Sequence, residues 1–75
     1  MAIDICILLG KRIRELRKKR GWRQIDLAQH SGVHEVHISD LERGTREVGL
    51  RNLLALAKGL QVTLSELLDG LDNPD

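Results

Sequence analysis

Phenylalanine and tyrosine are absent from these 75 residues, and Trp22 is the one aromatic side chain. Packed sheets draw on aromatic and β-branched residues, so a β core is a poor fit. Leucine and isoleucine must fill the interior instead, and leucine has good helix propensity. A single cysteine, Cys6, excludes an intrachain disulfide. No Cys/His spacing resembles a zinc site, and the thiol points to a reducing compartment. Long apolar runs are missing too: Ile5 to Leu9 is too short to span a bilayer. A basic segment follows that run rather than preceding it, the reverse of a signal peptide. No nucleophile–base set, phosphate loop or metal cluster is present, and so small a chain has little room for a deep pocket. The expectation is a cytoplasmic, non-enzymatic single domain over residues 1–75, without cofactor or metal. Its core spans about 8–69 and residues 72–75 form a frayed tail. A chain this short lies near the lower limit of independent stability, and subunit association would add to it.

What the chain has in quantity is unevenly placed charge. The formal net charge is only +1. Yet Lys11, Arg12, Arg14, Arg17, Lys18, Lys19, Arg20 and Arg23 stand against Glu15 alone within residues 11–23. A polyanion responds to such a block more than to the total, although a solvated helix face has the same composition.

Apolar spacing divides the chain into five helices. The first runs from Asp4 or Ile7 to Arg20, capped by Asp4, with Leu9, Ile13 and Leu16 on one stripe and Gly21 as terminator. The second covers Gln24 to His30, with Leu27 and Ala28 inward. A break at Ser31, Gly32 and Val33 precedes the third, from His34 or Glu35 to Arg43, whose inner face carries Ile38 and Leu41; Gly44 stops it. The fourth runs from Leu50 to Gly59 with a stripe of Leu50, Leu53, Leu54, Ala57 and Leu60, leaving Leu56 off the stripe. The fifth spans Leu64 to about Leu71 behind a capping box of Thr63 and Glu66. Two short helices joined by a glycine-bearing turn fit a helix-turn-helix over Gln24 to Gly44, and also an ordinary corner in a helical bundle. Ala28 sits where a larger side chain would push the two helices apart, and Gly32 where positive φ is easiest.

The run GKRIRELRKKRGWRQIDLAQHSGV from Gly10 to Val33 resembles the phage-repressor/Cro-type (Xre-type) helix-turn-helix family. So do ISDLERG from Ile38 to Gly44, LLALAK from Leu53 to Lys58 and VTLSELL from Val62 to Leu68. The likeness covers roughly residues 8–69. It implies an all-α, compact five-helix, lambda-repressor-like domain with the helix-turn-helix made by helices 2 and 3. It also implies transcriptional regulation, commonly as a dimer on palindromic double-stranded DNA.

By the same resemblance, Glu35, Val36 and Asp40 face the major groove with Ser39 beside them, on the side opposite Ile38 and Leu41. Glu35 can accept from a cytosine amino group and Val36 can pack on a thymine methyl. That face is more acidic than the Gln, Arg or Thr usual in the family. Gln24 matches the glutamine opening the family's second helix, whose amide can bond a phosphate or brace the first residue of the recognition helix. Arg43, Thr45 and Arg46 are implied phosphate contacts; Arg12, Lys19 and Arg23 are further candidates. Arg17 and Glu42 match a structural ion pair. Arg23 and His34 stand where the family usually has a Ser, Thr or Asp cap.

Trp22 is expected to pack against the first two helices. His30, His34 and His37 raise metal binding, which their spacing disfavours, and a pH-dependent DNA affinity. Leu56, Leu64, Leu68 and Leu71 exceed the needs of the C-terminal core and are the expected homodimer surface. The alternatives to a sequence-specific regulator are a restriction–modification controller, a toxin–antitoxin antitoxin and a protein-interaction module that does not bind DNA. A toxin or RNA polymerase is a candidate further partner.

Overall fold

A computed structural model describes residues 4–72, and residues 73–75 of the expected tail lie outside the described residues. Five helices follow one another: α1 (Ile5–Lys19), α2 (Gln24–Ser31), α3 (Glu35–Glu42), α4 (Leu50–Gly59) and α5 (Leu64–Leu67).

The ends of these helices are written locally. Asp4 Oδ1 accepts the Cys6 N–H at 2.7 Å, opening α1. The chain leaves α1 through paired bonds from Gly21 N–H to the Lys18 carbonyl (2.9 Å) and from Trp22 N–H to the Arg17 carbonyl (3.3 Å), a Schellman motif. The same pair of bonds ends α3, with Gly44 at φ +71°, and α4, with Gln61 at φ +61°. Gln61 holds a left-handed backbone that a side chain disfavours. The capping box of α5 is present in both directions: Thr63 Oγ1 accepts from Glu66 N–H, and Glu66 Oε1 accepts from Thr63 N–H, each at 3.0 Å.

Ile13, Leu16, Leu27, Val33, Ile38, Leu41, Leu53, Leu56, Ala57, Leu60 and Leu67 form one buried cluster. Aliphatic residues therefore carry the core, with Trp22 packed at its margin. Two glycines let helices approach closely. A Cβ on Gly10 would stand 2.3 Å from the Leu41 carbonyl oxygen, so α1 crosses the end of α3 backbone to backbone. A Cβ on Gly59 would meet Ser31 at 2.8 Å, where α4 crosses α2.

Two expectations for the C-terminal half are corrected. Leu56 is fully buried, whereas Leu50 is 74% exposed and Leu54 is also exposed. At 100° per residue, Leu53, Leu56, Ala57 and Leu60 share one narrow arc facing the core, and Leu50 and Leu54 fall beyond its edge. Leu56 is thus a core residue and offers nothing to a partner subunit. The fifth helix ends at Leu67 rather than near Leu71. Beyond it the chain turns through bonds from Asp69 N–H to the Glu66 carbonyl and from Leu71 N–H to the Leu68 carbonyl, with Gly70 at φ +78°.

Candidate nucleic-acid interface

The turn between α2 and α3 is tightly specified. Gly32, at φ +77°, donates to the Ala28 carbonyl at 2.8 Å. Ser31 Oγ donates to the Leu27 carbonyl at 2.7 Å and accepts from Val33 N–H at 3.1 Å. Val33 is buried and pins the turn to the core. His34 then does what Ser or Thr does elsewhere: its Nδ1 accepts the Val36 N–H at 3.1 Å. Only a ring nitrogen without its proton can do this. Ile38 and Leu41, both buried, seat α3 from below.

The C-terminal end of α3 is gripped by an ion pair. Arg17 Nε and Nη2 donate to Glu42 Oε2 and Oε1 at 2.7 and 2.9 Å, with side chains only 10% and 4% exposed. Arg17 Nη1 also donates to the Trp22 carbonyl at 2.7 Å. Gln24 Nε2 donates to Glu42 Oε1 at 3.2 Å. One carboxylate thus ties α1, the start of α2 and α3 together, and donating to Glu42 makes Arg17 hold its proton more firmly than an ordinary guanidinium does. Gln24 therefore braces α3 at its last residue, not at its first as expected.

Above this base the outer face of α3 is open. Glu35 and Val36 are exposed, Val36 by 63%. Ser39 and Asp40 are half-buried, and they are already engaged. Arg43 Nη1 donates to Ser39 Oγ at 3.2 Å and Arg43 Nη2 to Asp40 Oδ1. Arg46 Nε lies 3.5 Å from Asp40 Oδ2. The acidity expected of this face is therefore largely cancelled at Asp40 and remains at Glu35. Arg43, Thr45 and Arg46 are all exposed beside it.

The basic block of α1 is less available than its composition implies. Arg17 is buried in the ion pair. Arg12 is directed away from a phosphate role: its Nη2 donates to the Glu66 carbonyl at 2.8 Å, and its Nε is buried. Arg12 lies one step back from Ile13, on the flank of α1 that meets α5, where a cation satisfies the last helix carbonyls. Arg23 hydrogen-bonds Asp26 through Nε and Nη2 at 3.2 and 3.1 Å, while Asp26 Oδ2 accepts the Arg23 N–H at 2.8 Å. Those bonds hold the Asp26 carboxyl below its ordinary range and replace the missing cap from the other side. The Arg23 side chain stays exposed. Lys11, Arg14, Lys18 and Lys19 are exposed along α1.

Two of the three histidines have local partners. His30 stacks on Trp22 with ring centroids 4.0 Å apart and planes 5° from parallel, and His34 caps α3. The stack takes one face of Trp22, and the Arg20 guanidinium lies 5.7 Å from the same ring. No residue spacing announced the Trp22–His30 stack, the closeness of Gly10 to α3 or the Asp40 cluster.

Comparison with known proteins converges on one family. A model of the helix-turn-helix family matches residues 13–67. The chain is 40% identical over 70 residues to the control protein C.BamHI of Bacillus amyloliquefaciens, covering 92% of this chain and 86% of that protein. The crystal structure of the restriction-modification controller protein C.AhdI from Aeromonas hydrophila superimposes with a TM-score of 0.80 at 40% identity, covering 83% of this chain and 94% of that one. The P22 c2 repressor of a Salmonella phage, solved with a synthetic operator, gives a TM-score of 0.74 at 47% identity over 83% and 94% of the two chains.

Proposed function

Because the chain belongs to the helix-turn-helix family, we propose that it is a sequence-specific binder of double-stranded DNA that regulates transcription, with α3 in the major groove. The observation that carries this reading is the division of α3. Ile38, Leu41 and Glu42 are committed to the fold, while Glu35 and Val36 project unpartnered beside a ridge of Arg43, Thr45 and Arg46. Glu35 and Val36 read base edges, with Ser39 adjacent. Arg23, Lys19 and the ridge after α3 supply phosphate contacts, helped by the free amides at the start of α2, while Gln24 keeps its bracing bond to Glu42. Such a regulator works in the cytoplasm, where bacterial and phage DNA lies.

The restriction–modification controller form of this reading is favoured by one observation: the likeness to C.BamHI and C.AhdI runs nearly the full length of both. Genes beside the coding sequence for a methyltransferase and an endonuclease would support it; a toxin gene would point to an antitoxin instead.

The homodimer is part of the proposal, on a corrected surface. Leu68 is exposed and Leu64 and Leu71 half-buried, and exposed Leu50 and Leu54 take the place of Leu56. A two-fold axis through α4 and α5 would set two copies of α3 about 34 Å apart, one turn of DNA. Selection of bound duplexes from a random library tests class and symmetry together, and a palindromic consensus is the expected result. Affinity that does not fall steeply between 50 and 200 mM salt, against roughly a thousandfold or more for six or more phosphate contacts, would leave a protein-interaction module as the better reading.

A further inference from the structure

Asp40 lies on the reading face of α3, yet every oxygen it owns is turned toward its own chain. Oδ1 accepts from Arg43 Nη2, and Oδ2 faces Arg46 Nε at 3.5 Å. Its carbonyl accepts both the Thr45 N–H at 3.2 Å and the Thr45 hydroxyl at 3.1 Å. The carboxylate is only 21% exposed, while the Arg43 and Arg46 side chains are 62% and 60% exposed. Long arginine side chains left free lose considerable rotamer entropy when they meet a ligand. Here one short, well-seated carboxylate holds both before any ligand arrives, and the third group of the ridge hangs from the same residue's backbone. A cytosine amino group reaching Asp40 would have to displace a charge-assisted bond that is roughly twice as strong as a neutral one.

We propose that Asp40 is a positioning residue for phosphate binding and not a reader of bases. It sets Arg43, Thr45 and Arg46 as a preorganised three-point clamp on the DNA backbone. The inference rests on the DNA-binding reading above and sharpens it: base selection falls to the first turn of α3, and the last turn is assigned to the phosphates.

The experiment compares the full chain with Asp40→Asn, Arg43→Ala/Arg46→Ala and the triple variant. Each is titrated against its selected duplex, against single-base variants of that duplex and against an unrelated one. Removing a carboxylate near DNA should strengthen binding if charge alone mattered. The clamp predicts the opposite sign: Asp40→Asn binds every duplex about tenfold more weakly, the equivalent of one lost charge-assisted bond, with its ranking of duplexes unchanged. In the background lacking both arginines, the same change has no weakening effect, which a general loosening of α3 would not reproduce. Equal or tighter binding by Asp40→Asn overturns the proposal, and so does an altered preference at one base position. Wild-type protein that binds no duplex at low salt would instead overturn the underlying reading, and the clamp with it.

Discussion

Replacing Arg17 by methionine removes one half of the pair that fastens α3 to α1. Glu42 would keep only the Gln24 amide, at 3.2 Å, around a side chain that is 4% exposed. Breaking a buried pair from one side destabilises by about 3–5 kcal/mol, because the remaining charge is stranded. The Trp22 carbonyl would lose its donor as well, so the upper part of that range is expected. A chain of 75 residues has a total stability of roughly 4–11 kcal/mol at ~0.05–0.15 kcal/mol per residue. The substitution therefore removes a large share of it, and the melting temperature should fall by about 16 °C or more. Thermal and urea unfolding followed by circular dichroism measure this directly. The double variant Arg17→Met/Glu42→Leu buries apolar groups where the charges stood and should recover most of the loss. A single variant melting within about 4 °C of wild type, or a double variant no better than the single, would refute the reasoning.

Four further outcomes follow from the same geometry. Gly10→Ala drives a methyl group to 2.3 Å from the Leu41 carbonyl oxygen and should destabilise by about 1–3 kcal/mol in urea titrations, since overpacking forces the backbone apart. Gln61→Gly relieves a left-handed residue at φ +61° and should raise stability by roughly 1 kcal/mol in the same assay. Asp26 and Glu66 are both held below the ordinary carboxylate range, Asp26 by the Arg23 side chain and Glu66 by the Thr63 N–H. Their stabilisation is complete above the unfolded-state carboxyl range and fades as pH falls through the lower native values; Asp26→Asn/Glu66→Gln should show a flatter loss of stability between pH 6 and 2. Leu56→Ala should cost about 2–5 kcal/mol without a change in association constant, while Leu54→Glu should weaken self-association in sedimentation with little effect on the melting temperature.

The ladder of helices was readable in the chain because its signals are local. Asp4, Gly21, Gly32, Gly44 and the Thr63–Glu66 box each act within a few residues of themselves. The inward positions of α1 and α3 follow from single apolar stripes. Leu56 was misplaced because α4 carries leucine on more than one face, and periodicity cannot say which leucines meet other helices. Arg12 was misread for a related reason: charge composition does not reveal that a carbonyl 54 residues away waits at the end of α5. Asp40 shows the sharper limit. Its position on the outer face was legible, but its partners lie in a loop whose course the sequence does not state.

The first turn of α3 has a further consequence. Glu35 and Val36 touch solvent, while the helix beneath them is secured elsewhere, by the His34 cap, Ile38, Leu41 and Glu42. Changing either outer residue therefore leaves the folding free energy nearly untouched. On the proposed reading, in which these two residues meet the bases, new target sequences are accessible to this scaffold through one or two substitutions, without passing through unstable intermediates. The same reading would let two such proteins in one cell be insulated from each other by these two positions.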